Sequence, residues 1–260
     1  MSRTPVFFIS HGAPTWAIEP GQLGPQIEKL GRELDGVRAV LVVSPHWQTP
    51  DLRVMAAAQP ETIHDFGGFP DALYRLQYTA PGAPELAQTV AQRLTDAGFP
   101  VSIDAQRGRD HGAWVPMMYL LPEARLPVFQ VSMPRQLDTR SAYALGRALS
   151  SLRDEGVLIV ASGSMTHNLY EFRGNPQPAP YVLDFVRWVR EAVTARDDAS
   201  LADYRQLAPQ AERAHPTEEH FLPLLVAAGA AAANDVVQPV DGGVTYGILS
   251  MDSYVWRPAA

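Results

Sequence analysis

Three long apolar runs in this 260-residue chain each deliver a histidine. Pro5-Val6-Phe7-Phe8-Ile9-Ser10 ends at His11, and Ala39-Val40-Leu41-Val42-Val43-Ser44-Pro45 ends at His46. Gly156-Val157-Leu158-Ile159-Val160-Ala161-Ser162 is followed within a short loop by His167. Unbroken apolar runs of this length read as strands buried on both faces. In an open α/β sheet, sites gather at the carboxyl ends of such strands. Histidines delivered to one rim predict a metal site or a proton-transfer site.

The rest of the chain alternates. Strands are expected at about 5–10, 38–44, 52–58, 100–104, 127–132 and 157–161, with two closing strands at about 234–240 and 246–256. Helices are expected over about 22–35, 84–98, 138–153, 180–196 and 216–229, and another opens at His111. Such alternation predicts an α/β fold: one domain, 1–260, with a mostly parallel central sheet and helices on both faces. The Pro-rich patch Asn175-Pro176-Gln177-Pro178-Ala179-Pro180 reads as an exposed loop within that domain.

Composition narrows the chemistry. There is no cysteine, so imidazole and carboxylate are the ligands left for a metal. The net charge is −7 without a basic cluster, which argues against nucleic acid as a partner. No apolar run reaches membrane-spanning length, and the apolar stretch after Met1-Ser2-Arg3-Thr4 is too short for a signal-peptide core. A cytoplasmic enzyme acting on a small molecule is expected; the oligomeric state is not legible. No G-x-S-x-G surrounds Ser10, Ser44 or Ser164, and no G-x-G-x-x-G or P-loop pattern occurs.

The histidines differ in promise. His11 and His46 hold matched strand-end positions, the first before Gly12, which permits a sharp turn, and the second after Pro45, which stiffens one. Both read as metal ligands. In His215-Pro216-Thr217-Glu218-Glu219-His220, Pro216 suits a first helical position, with His215 as cap. Residues five apart lie about 140° around a helix, so one helix offers one of these histidines to a metal, and His220 is the choice. Glu218 and Glu219 would complement the helix dipole. His167 is a fourth ligand or a free acid–base. His111 sits at a helix start, where positive potential favours neutral imidazole. His64 lies in an aromatic loop, where it binds substrate or nothing.

Taken together, Ser10-His11-Gly12-Ala13-Pro14, Ser44-Pro45-His46-Trp47, Asp110-His111-Gly112-Ala113-Trp114-Val115-Pro116, Thr166-His167-Asn168-Leu169 and His215-Pro216-Thr217-Glu218-Glu219-His220 resemble one family. It is the class III extradiol ring-opening dioxygenases, of the DOPA 4,5-dioxygenase type. The motifs follow the family's order from residue 10 to residue 224. The resemblance implies a single non-haem metal, Fe(II) in active members and Zn(II) in some bacterial ones. It carries the metal ligands onto His11, His46 and His220, and the active-site histidines onto His167 and His111. Extradiol enzymes at large use two histidines and a carboxylate, whereas three histidines also suit zinc.

The implied reaction is O2-dependent opening of a catechol ring of the DOPA kind, with His167 moving the phenolic proton and His111 hydrogen-bonding oxygen or substrate. Trp47, Phe66, Phe69 and Trp114 are available to pack the ring. Two other readings use the same residues: a zinc hydrolase with His167 or Glu219 as base, and a non-catalytic ligand binder. Oxygen consumption separates the first from both.

Overall fold

The computed structural model describes residues 3–172 and 177–259. Its centre is an eight-stranded sheet. In chain order the strands are β1 (Val6–Ser10), β2 (Ala39–Thr49), β3 (Leu52–Met55), β4 (Val101–Asp104), β5 (Val128–Pro134), β6 (Val157–Gly163) and β7 (Val236–Val240), then a separate two-stranded ribbon of β8 (Val244–Thr245) and β9 (Leu249–Ser250), and last β10 (Ser253–Arg257). The sheet order is β4-β3-β5-β2-β6-β1-β10-β7. The run β5-β2-β6-β1 is parallel throughout, and β4 is parallel to β3. Antiparallel pairing enters where β3 meets β5 and where β10 joins β1 and β7. This is the expected α/β architecture with a mostly parallel sheet.

The apolar runs are buried on both faces because their alternating side chains serve two cores. Val6, Phe8, Leu41 and Val43 pack on one side, Phe7, Ile9, Val40 and Val42 on the other. Helices Thr139–Leu149 and Leu222–Ala230 cover the first face, and helices Leu23–Arg32 and His111–Leu120 cover the second. Burial of this kind contributes roughly 1.5–3 kcal/mol per large apolar side chain.

Several boundaries differ from expectation, each for a local reason. Strand β2 does not stop before His46 but runs through it to Thr49. Its register against β5 shifts between Val43 and Gln48, a bulge that accommodates Pro45, which has no N–H for the ladder. The helix expected over 216–229 begins at Leu222, with Pro223 rather than Pro216 in its first turn. The Glu218 carbonyl accepts N–H bonds from Phe221 and Leu222, forming a turn before the helix. His215 therefore does not cap it. Its ring is fully buried beside Phe185, Tyr204 and Phe221, and its Nε2 bonds the Met165 carbonyl at 2.9 Å. Tertiary burial outweighs a local proline signal. The strand expected over 246–256 starts late, because Tyr246 and Gly247 take left-handed backbone in a turn, and is interrupted at Met251 and Asp252, leaving β9 and β10. Of the Pro-rich patch, Asn175 and Pro176 lie outside the described residues; Pro180 opens helix Pro180–Thr194.

Candidate metal centre and active-site cavity

The carboxyl ends of β1, β2 and β6 face one rim, and the parallel register of these strands puts their histidines there together. His11 continues β1, its N–H bonded to the Gly163 carbonyl of β6 at 2.9 Å. Gly12 then turns the chain with φ of +59°, a conformation that only glycine adopts without strain. His46 leaves the bulge of β2. His220 sits in the turn before Leu222, its carbonyl accepting from the Ser164 N–H at 2.9 Å, which ties that turn to the end of β6.

Three Nε2 atoms converge. His11 Nε2 lies 3.1 Å from His46 Nε2, and His220 Nε2 lies 3.4 Å from His46 Nε2. Each ring is held from behind through Nδ1: His11 by Ser162 Oγ at 2.9 Å, His220 by Glu219 Oε1 at 3.1 Å, and His46 by Asp65 Oδ2 at 3.4 Å. An acceptor at Nδ1 fixes the tautomer whose Nε2 lone pair faces inward. Burial is the main force keeping these rings neutral. It lowers His11 and His220 well below the ordinary imidazole range, reinforced by the neighbouring histidines, and lowers His46 to about 3 against the pull of Asp65. Lone pairs facing each other at these distances repel unless a cation lies between them.

The donor set fits such an ion. Two nitrogens about 2.1 Å from one metal and about 90–110° apart are separated by roughly 3.0–3.4 Å. The carboxylate of Glu219 is not part of this convergence; it stands behind His220.

Two further histidines border the centre. His111 is packed against His46, ring centroids 3.9 Å apart. The Nδ1, Nε2 pool of His11, His46 and His111 offers ligand atoms within 4.8 Å of one another, as does that of His167, Glu219 and His220. His111 Nδ1 is 2.9 Å from Asp65 Oδ2, which leaves Nε2 for a ligand, and the His111 N–H bonds Asp65 Oδ1 at 2.8 Å. Burial alone would raise the Asp65 carboxyl, but hydrogen bonds and attraction from His111 outweigh it and hold it near 2. His167 stacks on His220; burial lowers it, with Glu219 pulling the other way and His111 adding to the lowering.

Below the rings, the fully buried Asp110 accepts from Ser44 Oγ at 2.7 Å and Gln130 Nε2 at 2.8 Å. Burial raises its carboxyl, with Asp65 adding to the effect against those two bonds. Gly112 is needed beside this network, since a Cβ there would press on Ser44 Oγ and lie 2.9 Å from His46 Cδ2.

A cavity of about 520 Å³ opens over the centre. His46, His111, His167 and His220 form its floor, and Phe66, Phe69, Leu169, Phe172 and Leu249 much of its wall. Phe66 and Phe69 are thus placed as the sequence suggested. Trp47 and Trp114 are not: both are core residues, Trp47 under the Arg107 guanidinium and Trp114 bonded through Nε1 to the Ile63 carbonyl at 2.9 Å. His64 bonds the Leu76 carbonyl at 3.0 Å among Phe66, Tyr74 and Trp114, which is a packing position. Sequence reasoning overlooked Asp65, Ser162 and the wall residues Leu169, Phe172, Tyr246 and Leu249. Asp65 carried one signal, a carboxylate inside an aromatic loop, but its two imidazole partners are distant in sequence.

Residues 6–248 match the family described as the catalytic LigB subunit of aromatic ring-opening dioxygenase. The chain is 42% identical over 256 residues to a 4,5-DOPA dioxygenase extradiol of Beta vulgaris, covering 95% of this chain and 94% of that protein. A protein of the same description from Escherichia coli K12 is 37% identical, over 96% of this chain and 93% of its own length. Among solved structures, an uncharacterized protein from Escherichia coli K12 superposes with a TM-score of 0.81 at 31% identity, covering 97% of this chain and 99% of that one.

Proposed function

Because the chain belongs to the LigB family of aromatic ring-opening dioxygenases and is a metal-dependent extradiol ring-cleaving enzyme, we propose that it opens a catechol ring with O2 at the histidine centre, using Fe(II) held by His11, His46 and His220. The observation that carries the assignment is the convergence of three Nε2 atoms, each with Nδ1 engaged behind it. The hydrolase and ligand-binder readings are set aside, since relatives spanning nearly the whole chain are named dioxygenases.

Fe(II) would supply a common binding point for the two catechol oxygens and O2, and a path for electrons from ring to oxygen. Zinc, without redox chemistry, fits the same nitrogens but not this reaction, although it competes well for them. Both atoms of O2 enter the product, and the ring bond beside the diol breaks.

The protein's part is positioning and proton handling. Phe66 and Phe69 present ring edges and faces on which an aromatic substrate packs. His167 is assigned the phenolic proton: an imidazole nitrogen takes it as the substrate binds and returns it when the ring opens. Its neutral resting state, favoured by burial, suits a base. His111, whose Nδ1–H is held by Asp65, is assigned to accept a hydrogen bond at Nε2 from a substrate hydroxyl. The cavity walls exclude bulk water from the reacting centre.

The test is anaerobic reconstitution with Fe(II), followed by oxygen uptake with a catechol and mass analysis of the product after reaction under ¹⁸O2. Uptake with both labels in a ring-opened product is expected. Uptake without ring opening would remove the assignment.

A further inference from the structure

Arg109 lies outside the metal centre and is fully buried. Its guanidinium donates to the carbonyls of Val128 and Tyr78, each at 3.1 Å, to that of Pro81 at 2.9 Å, and to that of Ala80. Burial lowers its pKa to about 10, so it stays a cation at neutral pH. A charge buried this deeply is unfavourable unless its hydrogen bonds are made, and here backbone carbonyls make them. Three of the four belong to one end of the loop that follows β3. The other end of that loop is held by the Arg109 backbone. Thr62 and Arg109 form a parallel bridge in which the Arg109 N–H donates to the Glu61 carbonyl and the Ile63 N–H to the Arg109 carbonyl, both at 2.7 Å. Thr62 Oγ1 ties the two ends together by accepting the Tyr78 N–H at 2.9 Å. Asp65, Phe66 and Phe69 lie between them. His111 stands two residues beyond Arg109, and Asp65 three beyond Thr62, so the bridge brings both Asp65 oxygens onto His111. The Phe66 ring meets the same imidazole at 89°, centroids 5.6 Å apart.

We propose that Arg109 is a positioning residue for ring opening: by clasping both ends of this loop it holds Asp65 against His111 and so aims His111 Nε2 at the substrate hydroxyl. The proposal rests on the role given to His111 in the catechol reading above. Without the guanidinium, the carbonyls of Tyr78, Ala80 and Pro81 lose their common donor, and buried acceptors left unpaired are unfavourable. The loop end then shifts, and the bridge at Thr62 alone must keep Asp65 in place. Lysine retains the charge but not the planar fork that reaches carbonyls on several sides at once.

The experiment has two readouts. In zinc-loaded, diamagnetic protein, NMR follows the His111 Nδ1–H proton, a downfield imidazole resonance identified by its loss in His111→Gln. Arg109→Lys should shift or broaden it. In Fe(II)-loaded protein at saturating metal, oxygen uptake with DOPA gives kcat/KM. Arg109→Lys should lose about 10–100-fold, the effect of a small misplacement of a reacting group. In an Asp65→Asn background the same substitution should cost less than about twofold more, because two residues acting through one contact are not additive. A residue that merely supports the fold would cost the same factor in both backgrounds. Thr62→Val loosens the same clasp while leaving the buried cation in place, and it is carried through both readouts beside Arg109→Lys, so that a lysine variant that fails to fold still leaves the proposal decided. An unmoved His111 resonance, or equal losses in the two backgrounds, would overturn the proposal and leave the catechol reading intact. A parent protein that opens no catechol would sink the catechol reading itself, and the proposal with it.

Discussion

The imidazoles of His167 and His220 stack face to face, their centroids 3.5 Å apart and their planes 9° from parallel. The stack places His167 directly against one of the three rings whose Nε2 atoms approach one another. His220 points its Nε2 at His46, while His167 is located by its loop, its own N–H bonded to the Ala214 carbonyl at 2.8 Å. Under the proposed roles, His220 would hold the metal and His167 would move protons.

That division predicts the outcome for His167→Gln. The variant should bind Fe(II) with unchanged stoichiometry and lose roughly 10²–10⁴-fold in kcat, the usual worth of a positioned acid–base. Metal analysis beside oxygen uptake separates the two effects. Loss of the metal would make His167 a ligand instead.

Asp65 touches two imidazoles and one backbone N–H, so its replacement should be felt twice. Asp65→Asn keeps the shape but loses the charge and one acceptor. Metal affinity or turnover is expected to fall about 10–100-fold, as for other outer partners of ligating histidines. A chelator competition assay reads the first quantity, and stopped-flow oxygen consumption reads the second. Unaltered values for both would show that Asp65 does not orient these rings.

Metal exchange should separate holding from chemistry. Dialysis against a strong chelator is expected to abolish oxygen uptake, added Fe(II) to restore it, and added Zn(II) to occupy the centre without restoring it. Thermal unfolding provides the independent readout, since either ion should raise the Tm by binding the folded state alone. Full activity of iron-free, zinc-loaded protein would reject the redox assignment.

Outside the metal centre, His215 supplies a pH dependence with a definite sign. Burial lowers its pKa to about 3, so it is neutral in the fold but titrates near 6.5 when unfolded. Between those values the unfolded chain binds the extra proton, so stability falls as pH falls. From pH 6.5 to 5 this one group removes about 2 kcal/mol. Urea unfolding at both pH values should show His215→Gln losing less on acidification than the parent protein does. Equal losses would mean that His215 is not held neutral.

How much of this was legible in the sequence depends on the range of the interaction. The strand runs ending at His11 and His46 declared buried parallel strands, because a strand apolar on both sides has nowhere to lie but inside a sheet covered on both faces. Parallel pairing then obliges their carboxyl ends to share a rim, so His11 and His46 had to approach each other. The motif order made the family resemblance legible too.

The remainder depended on contacts between residues far apart in the chain, which no local pattern encodes. The helix expected at Pro216 gave way to one at Leu222 because burying His215 among Phe185, Tyr204 and Phe221 outweighs a proline preference. Trp47 and Trp114 were available aromatics in the sequence, yet packing put them in the core and left Phe66 and Phe69 at the cavity. Asp65 reaches His111 across 46 positions. Residue types and strand periodicity were sufficient to determine the sheet and its histidine rim. Which nitrogens converge, what orients them and how apolar the cavity is were decided only when folding brought the distant segments together.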